Sequence, residues 1–295
     1  MIYSIIGNND GPLLLYRSLK ANTMPVPVLV GLQKKPNATL YEQYQAEIPA
    51  SSLFVEFDET KVLERLEETE SRVLINCFCN FKFVALLKKY YCINIHPSYL
   101  PAYRGRHPMH WALIRGESYH GITIHVMNER FDDGAILWQE KVELQPDYSV
   151  QELRKLLMKM LTSGFPDFIK KLSKDKLERK ENLPVQGSYV RARKPEDSKL
   201  TEWSDPDLLY RKIKALRSEP YPAYLETEKE EKIPVINVTW ETSQMEENNT
   251  GVVKFPFIQD QQNGILKIRI NKKELFILKI PKIGQTNTNL KLTTT

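Results

Sequence analysis

The apolar positions of the first hundred residues fall in short continuous runs separated by polar, helix-forming stretches. Ile2–Ile6, Val26–Leu32, Leu53–Phe57, Val73–Phe78 and Tyr91–Ile95 are runs of strand length. Continuous rather than alternating apolarity marks strands buried on both faces. Between these runs, Leu13, Leu14, Tyr16 and Leu19 share one side of a helix, and Thr60–Glu70 is rich in helix formers. The alternation of strand and helix predicts an α/β fold, a mostly parallel sheet with helices on both faces. Ligands of such sheets bind beyond the carboxyl ends of the strands. That rule directs attention to the loop at 7–11, the segment 77–83, and the residues after Ile95.

The pattern changes further along. Pro97, Pro101 and Pro108 punctuate a loop, a helix is expected over 108–115, and two strands at 120–127 and 135–141 flank the turn Asn128–Gly134. An amphipathic helix covers 149–173. Residues 181–199 carry Pro, Gly, Ser and charge without apolar period, which is linker composition. Beyond them a helix at 206–217 precedes short apolar runs near 233–241, 251–257, 265–270 and 274–280, and the tail 284–295 reads as frayed. Several short strands with turn signals suggest a small β-barrel or half-barrel. The expected domains are therefore 1–185 and 201–295, joined by a linker at 186–200.

Composition narrows the function classes. Hydrophobic residues make up 41% and charged residues 27% of the 295, which excludes an intrinsically disordered chain. The densest apolar run, Pro25–Leu32, is too short to span a bilayer, and the first residues lack the basic n-region of a secretory signal. Three cysteines, Cys77, Cys79 and Cys92, cannot make a disulfide framework or a zinc knuckle, so the expectation is a reduced, cytoplasmic protein without membrane contact. The net charge is +5, yet residues 1–100 hold ten basic and ten acidic residues. Later basic runs are interleaved with acids, as on a solvated helix face, rather than gathered into the stripe a nucleic-acid enzyme needs. No nucleic-acid partner is expected on this ground.

Gly7-x-x-x-Gly11 is neither a dinucleotide fingerprint nor a phosphate-binding P-loop, since the third glycine and the Lys-Ser/Thr pair are missing. It reads as a tight turn in which Asn8 or Asn9 touches a ligand, or as a helix cap built by Asn9 or Asp10. All five histidines, His96, His107, His110, His120 and His125, lie in one thirty-residue window. A metal site would need a supporting carboxylate that the His107-x-x-His110 spacing lacks, and no metal is expected. The remaining readings are partly buried structural histidines and acid–base chemistry. His96 stands out for the second, because it lies just beyond a predicted parallel strand and two residues after Asn94, so both side chains leave the strand on one side. Asn is a neutral donor suited to a developing oxyanion, and His moves protons near neutral pH. Asp132 and Asp133 are the carboxylates available to orient the imidazole.

Asn94-Ile-His96-Pro-Ser98-Tyr-Leu-Pro101-Ala-Tyr-Arg104-Gly105, with Phe131-Asp132-Asp133-Gly134 some thirty residues on, resembles the 10-formyltetrahydrofolate-dependent formyltransferases. Their signature is Asn-x-His-x-Ser-Leu-Leu-Pro-x-(Tyr/Phe/Trp)-Arg-Gly followed by a hydrophobic-Asp-x-Gly turn. Ala192–Asp197, Leu200–Trp203, Ile213–Arg217 and Pro220-Tyr-Pro222 are similar to the second domain of the longer members. The resemblance implies a Rossmann-like first domain with a smaller, OB-like β-rich domain after it. It implies catalytic roles for Asn94, His96 and Asp132, with Asp132 rather than Asp133 because it occupies the motif position. It further implies 10-formyltetrahydrofolate as formyl donor and no metal. Tyr99 and Asp133 depart from the family pattern. The folate is expected against Phe81, Phe83, Ile95, Ser98 and Asp132.

The resemblance extends to one branch of the family. Arg104-Gly-Arg106-x-Pro108-x-x-Trp111 is similar to enzymes acting on nucleotide-linked 4-amino sugars, whereas the segment 31–50 is short and carries only Lys34 and Lys35 as basic residues, thin for a tRNA-binding insertion. A dTDP- or UDP-linked 4-amino-4,6-dideoxy sugar, destined for a surface polysaccharide such as O-antigen, is the expected acceptor. Asn9, Cys79, Arg104, Arg106, His107 and Trp111 are its expected contacts. Guanidinium groups suit a diphosphate. A homodimer is expected from similar sugar enzymes. The alternatives are a methionyl-tRNA formyltransferase and a non-catalytic folate- or nucleotide-binding module. Hydrolysis of formylfolate is disfavoured because similar hydrolases carry a regulatory domain ahead of this fold, and here the first strand begins at Ile2.

Overall fold

The computed structural model describes residues 1–183, 187–217, 221–227, 230–242, 257–262, 264–271 and 273–281. They separate into two compact units: 1–108 with 119–142 and 154–190, and 109–118 with 143–153 and 191–295. Segments from the middle of the chain thus belong with the C-terminal residues, a grouping that no composition shift along the sequence marks.

The first unit is built on β1 (Tyr3–Gly7), β2 (Leu29–Leu32), β3 (Leu53–Val55), β4 (Val73–Cys77), β5 (Tyr91–His96), the two-residue β6 (Arg104–Gly105), β7 (Tyr119–Val126), β8 (Ile136–Glu143) and β9 (Tyr189–Val190). A seven-stranded sheet runs β3-β2-β1-β4-β5-β7-β8. β1 to β5 pair in parallel, and β7 joins β5 antiparallel. Every residue of β1, β2 and β4 is buried, the physical reason their sequences read as unbroken apolar runs. Helices α1 (Gly11–Ala21), α2 (Ala38–Glu47), α3 (Glu59–Glu67) and α4 (Ala85–Lys89) connect the parallel strands. Asn37 and Asp58 cap α2 and α3 by accepting from Leu40 N and Lys61 N at 3.0 Å each, which ties down backbone donors that have no partner inside the helix. Asp10 stands at the cap of α1, but its side chain turns to Arg154 instead.

Several local predictions shift. The strand expected over 26–32 begins only at Leu29, because Pro25 and Pro27 cannot donate to a ladder; Val26 is exposed. β3 stops at Val55, where Glu56 turns left-handed at φ 54°. Helix α2 was invisible as amphipathy, since Tyr44 is its one buried residue. β6 and β9 pair in parallel through two residues each, too few to register as a pattern.

Helices α5 (Pro108–Arg115) and α6 (Val150–Ser173) follow the sequence expectation closely. Ser149 and Glu152 form a reciprocal capping box at the start of α6, with Ser149 N donating to Glu152 Oε2 at 2.7 Å and Glu152 N to Ser149 Oγ at 3.2 Å. The second unit adds α7 (Pro206–Ala215), a ribbon of β10 (Tyr224–Glu226) and β11 (Lys232–Pro234), and β12 (Asn237–Thr242), β13 (Phe257–Gln262), β14 (Ile265–Arg269) and β15 (Glu274–Lys279). The last four make an antiparallel sheet in the order β12-β15-β14-β13. The run at 233–241 proves to be two strands. The strand expected at 251–257, apart from Phe257, and the tail at 284–295 lie outside the described residues.

Candidate active site

Three strands carry the chemistry-bearing side chains to one place. β4 and β5 pair in register so that Asn76 is opposite Asn94. β5 and β7 pair so that Asn94 is opposite His125. Residues opposite one another project to the same face, so the sheet itself assembles Asn76, Asn94 and His125 in a row, with His96 two positions further along β5. The fifth member, Asp132, enters from the β7–β8 turn in a left-handed conformation, φ 54°.

The distances define a connected buried cluster. His96 Nδ1 is 3.4 Å and His125 Nε2 is 3.5 Å from Asp132 Oδ1. Asn94 Nδ2 donates to the same oxygen at 3.2 Å and lies 3.1 Å from His125 Nε2. Asp132 Oδ2 accepts from Gly105 N at 2.9 Å. His96 Nε2 is 2.9 Å from the carbonyl of Tyr103, an acceptor only, so this nitrogen carries the proton and donates. His125 Nδ1 is likewise 2.8 Å from the carbonyl of Val126, which leaves Nε2 of the neutral ring to accept from Asn94. Both tautomers are thereby set by backbone carbonyls.

The electrostatics follow from the same contacts. His96 is 5% exposed, and burial pushes its pKa below the ordinary imidazole value, with Asp132 and the Tyr103 carbonyl acting in the opposite direction. Burial alone would raise the Asp132 carboxyl, but in the acid range where it titrates the charged forms of His96 and His125, with the Gly105 N–H, outweigh burial and hold the group at about 2. At neutral pH the site therefore contains an ionised Asp132 beside a neutral His96 whose free nitrogen, Nδ1, faces the carboxylate. A proton arriving at Nδ1 would meet an anion 3.4 Å away. That is the arrangement of a base whose conjugate acid is stabilised in advance.

Supporting residues hold this geometry. Arg104 was expected to bind diphosphate. It is buried, with Nε donating to the carbonyl of Asp132 at 2.8 Å and Nη2 to the carbonyl of Asn182 at 2.9 Å. The structure thus uses this guanidinium inside the protein, to fix the Asp132 turn. Asn182 Nδ2 adds bonds to the carbonyls of Asp132 and Gly134. Asp133, the neighbouring carboxylate, points to Arg104 and Arg130 at 3.7 Å each. His125, Asn76 and Asn182 were missed by sequence reasoning. The pairing of β5 with β7 would have pointed to His125; Asn182 lies in linker-like sequence and left no signal.

The remaining predicted contacts are dispersed. Ile95 is in the core, Ser98 is buried with its hydroxyl on the carbonyl of Ala102 at 2.8 Å, and Phe83 packs in the core at 2% exposure. Phe81 is half-buried, its ring 4.8 Å from that of Phe83, so of the two it alone offers a face to a ligand. Cys79 is half-buried beyond β4. Asn9, at φ 55°, lines a cavity of about 500 Å³ with Arg17, Gln43 and Arg154. Arg106 is exposed, with Nη2 on the carbonyl of Asn80 at 3.2 Å, and His107 is left-handed at φ 59°. Trp111 belongs to the second unit, where its indole N–H donates to the carbonyl of Arg191 at 2.8 Å and Arg191 covers its ring. Among the described residues no group of three or more His, Cys, Asp or Glu could hold a metal ion, and no helix is long and apolar enough to cross a membrane.

Comparison with known proteins gives the chain its relatives. A methionyl-tRNA formyltransferase of Kosmotoga olearia is 34% identical over 129 residues, 44% of this chain and 42% of that protein; the chain thus spans less than half the length of the curated relative it matches. Among solved structures, the N-formyltransferase of Helicobacter canadensis, in complex with folinic acid and dTDP-3-aminofucose, superposes with a TM-score of 0.68 over 95% of this chain and 100% of its own, at 15% identity. HypX of Aquifex aeolicus in complex with tetrahydrofolic acid gives a TM-score of 0.66 over 94% of this chain and 43% of its own, also at 15% identity. Residues 17–169, slightly more than half of the chain and including all of Asn94, His96, His125 and Asp132, match the formyl transferase family profile, and the chain belongs to that family.

Proposed function

We propose that the chain transfers the formyl group of 10-formyltetrahydrofolate to the amine of a nucleotide-linked 4-amino-4,6-dideoxy sugar. The observation that carries formyl transfer is the Asn94–His96–Asp132 cluster at the carboxyl ends of β5 and the β7–β8 turn. The amine lone pair attacks the formyl carbon, giving a tetrahedral centre with negative charge on the former carbonyl oxygen. The proton released by the nitrogen is taken at His96 Nδ1 and held against Asp132. The bond to the folate N10 then breaks, and N10 leaves with a proton returned from His96. Both hydrogens of Asn94 Nδ2 are directed at Asp132 and His125, so donation to the oxyanion requires Asn94 to release one of them; the contact to the ring nitrogen of His125 is weaker in kind than that to a carboxylate. The folate would lie against Phe81 and the Asn128–Asp132 turn.

The sugar-nucleotide acceptor is supported by the exposed guanidinium of Arg106, the cavity beside Asn9 with Arg17 and Arg154, and the dTDP-linked amino sugar bound by the Helicobacter canadensis protein. Residues 31–50 form a strand end, a turn carrying Lys34 and Lys35, and the short helix α2, which has no basic residue, little for a partner bound through phosphates. Methionyl-tRNA is the second reading, favoured by the 34% identity to a methionyl-tRNA formyltransferase. The reading includes a cytoplasmic homodimer whose product enters a surface polysaccharide such as O-antigen. The deciding assay incubates the protein and 10-formyltetrahydrofolate with dTDP- and UDP-linked 4-amino and 3-amino sugars and, at equal enzyme, with methionyl-tRNA, and weighs the products by mass spectrometry. A mass gain confined to an amino sugar is expected. Formylation of methionyl-tRNA alone would overturn the acceptor and keep the chemistry.

A further inference from the structure

We propose that Asn76 is a positioning residue, one that fixes which way the amide of Asn94 faces and ties that amide to the loop following β4. This rests on the formyl-transfer reading of Asn94. Asn76 sits in the fourth position of a strand whose residues are otherwise Val73, Leu74, Ile75 and Cys77, all buried. An amide in such a place costs free energy unless its hydrogen bonds are made, and here they are made to two specific partners. Asn76 Nδ2 donates to Asn94 Oδ1 at 2.8 Å, and Asn76 Oδ1 accepts from Cys79 N at 2.9 Å.

The first bond decides an orientation. An Asn amide is nearly symmetric in shape, and only its hydrogen bonds distinguish its oxygen from its nitrogen. With Asn76 donating to the oxygen of Asn94, the nitrogen is left to face Asp132 Oδ1 at 3.2 Å and His125 Nε2 at 3.1 Å. The opposite orientation would set Asn94 Oδ1 against the ionised carboxylate and remove the Asn94 donor from the reacting region. The second bond holds a strained link. Phe78 is left-handed at φ 70°, unusual for a bulky residue. Its carbonyl accepts from Asn8 Nδ2 at 3.0 Å, and the peptide after it is held by Asn76. One side chain thus sets both the donor on β5 and the turn that leads to Cys79 and Phe81.

The test replaces Asn76 by Leu, which keeps the volume and removes both bonds, and by Ser, which keeps a hydroxyl donor. Two readouts are independent. In the ligand-free protein, the His96 ring is followed by NMR as pH is varied; the charged or titrating groups facing it are Asp132, His125, Arg104 and His120. In Asn76→Leu the Asn94 oxygen can turn toward this cluster, so the His96 titration moves to higher pH. An unmoved His96 titration overturns the proposal whatever the acceptor proves to be. In turnover, Asn76→Leu lowers kcat at least about tenfold, Asn76→Ser recovers part of it, and in an Asn94→Ala background Asn76→Leu has no further effect on kcat, because residues acting through one another are non-additive. Equal losses in both backgrounds would show a packing role only. Absence of formyl transfer by the unmodified protein would refute the reading of Asn94 itself, and the titration still decides whether Asn76 holds the amide.

Discussion

Replacing Asp132 by Asn is the sharpest probe of the cluster. The change keeps side-chain shape, and both residue types tolerate the left-handed backbone at φ 54°. Two costs can be separated. The first is electrostatic. His96 Nδ1 is 3.4 Å from Asp132 Oδ1, and at an effective dielectric of about 20 an imidazolium there is stabilised by about 5 kcal/mol. If local rearrangement recovers about a fifth of this, about 4 kcal/mol is lost from a transition state in which His96 carries the proton, close to 10³-fold in kcat. The second cost is a hydrogen bond. Asp132 gives one oxygen to Gly105 N and the other to Asn94 Nδ2; an amide has a single oxygen, so one buried donor is left without an acceptor, about 1–3 kcal/mol of stability. The carboxyl is depressed to about 2 in the folded protein, so the stability it contributes is present above its unfolded value and disappears as pH falls toward 2; the charge-related deficit of the variant should vanish over the same window. The assay is formyl transfer with kcat and both KM values, as a function of pH. Asp132 acts to raise the His96 pKa against burial. Its removal therefore moves the acidic limb of kcat/KM to lower pH, with the folate KM within about threefold. A kcat within tenfold of the unmodified protein, or a limb displaced to higher pH, would refute His96 as the base held by Asp132.

Other expectations are simpler. His120 is 2% exposed, donates to the carbonyl of Pro97 at 2.8 Å and is depressed to about 4 by burial; its neutral form stabilises the fold above about pH 6.5 and that contribution falls as pH drops toward 4. His120→Gln should remove about 3 kcal/mol of acid-induced destabilisation across that window, read by urea unfolding at a series of pH values; an unchanged slope would contradict it. Gly105→Ala places a Cβ 2.2 Å from the carbonyl of Val190 at φ +97°, so the strand bearing the Gly105 N–H must shift; loss of at least about 2 kcal/mol in thermal unfolding together with a severe loss of turnover is expected, and a stable, active variant would show that this N–H does not matter. Arg106→Ala should raise the sugar-nucleotide KM and leave the folate KM nearly unchanged; a rise in the folate KM instead would place Arg106 on the wrong co-substrate.

Much of the frame was legible because the chemistry of burial writes itself into sequence. β1, β4 and β5 were legible from their apolar runs, and α6 from its amphipathic pattern. The β5–β7 hydrogen bonding was not legible, since nothing local says that β7 runs antiparallel beside β5, and His125 was accordingly read as an ordinary buried histidine. Arg104 shows the converse: a guanidinium in a motif suggests a phosphate, yet its carbonyl partners on Asp132 and Asn182 are 28 and 78 residues away and cannot be inferred from spacing. Asn76 was hidden by its neighbours, a polar residue overlooked inside an apolar word.

Five non-glycine residues adopt left-handed backbone around the site: Asn9 after β1, Phe78 after β4, Tyr103 and His107 on either side of β6, and Asp132. Asn and Asp accept this conformation readily, but Phe, Tyr and His do so at a cost of about 1–2 kcal/mol each. Glycine would relieve that cost and give back only part of the gain through its looser unfolded chain. The relief is open only where the side chain is not itself needed for packing: Tyr103 is buried with its ring against His120, and the cavity left by glycine there would cost about 3–5 kcal/mol, more than the strain it removes. At Phe78 and His107, both half-buried, the two costs are comparable, so a laboratory selection for heat resistance alone would test glycine at two codons and leave the third untouched.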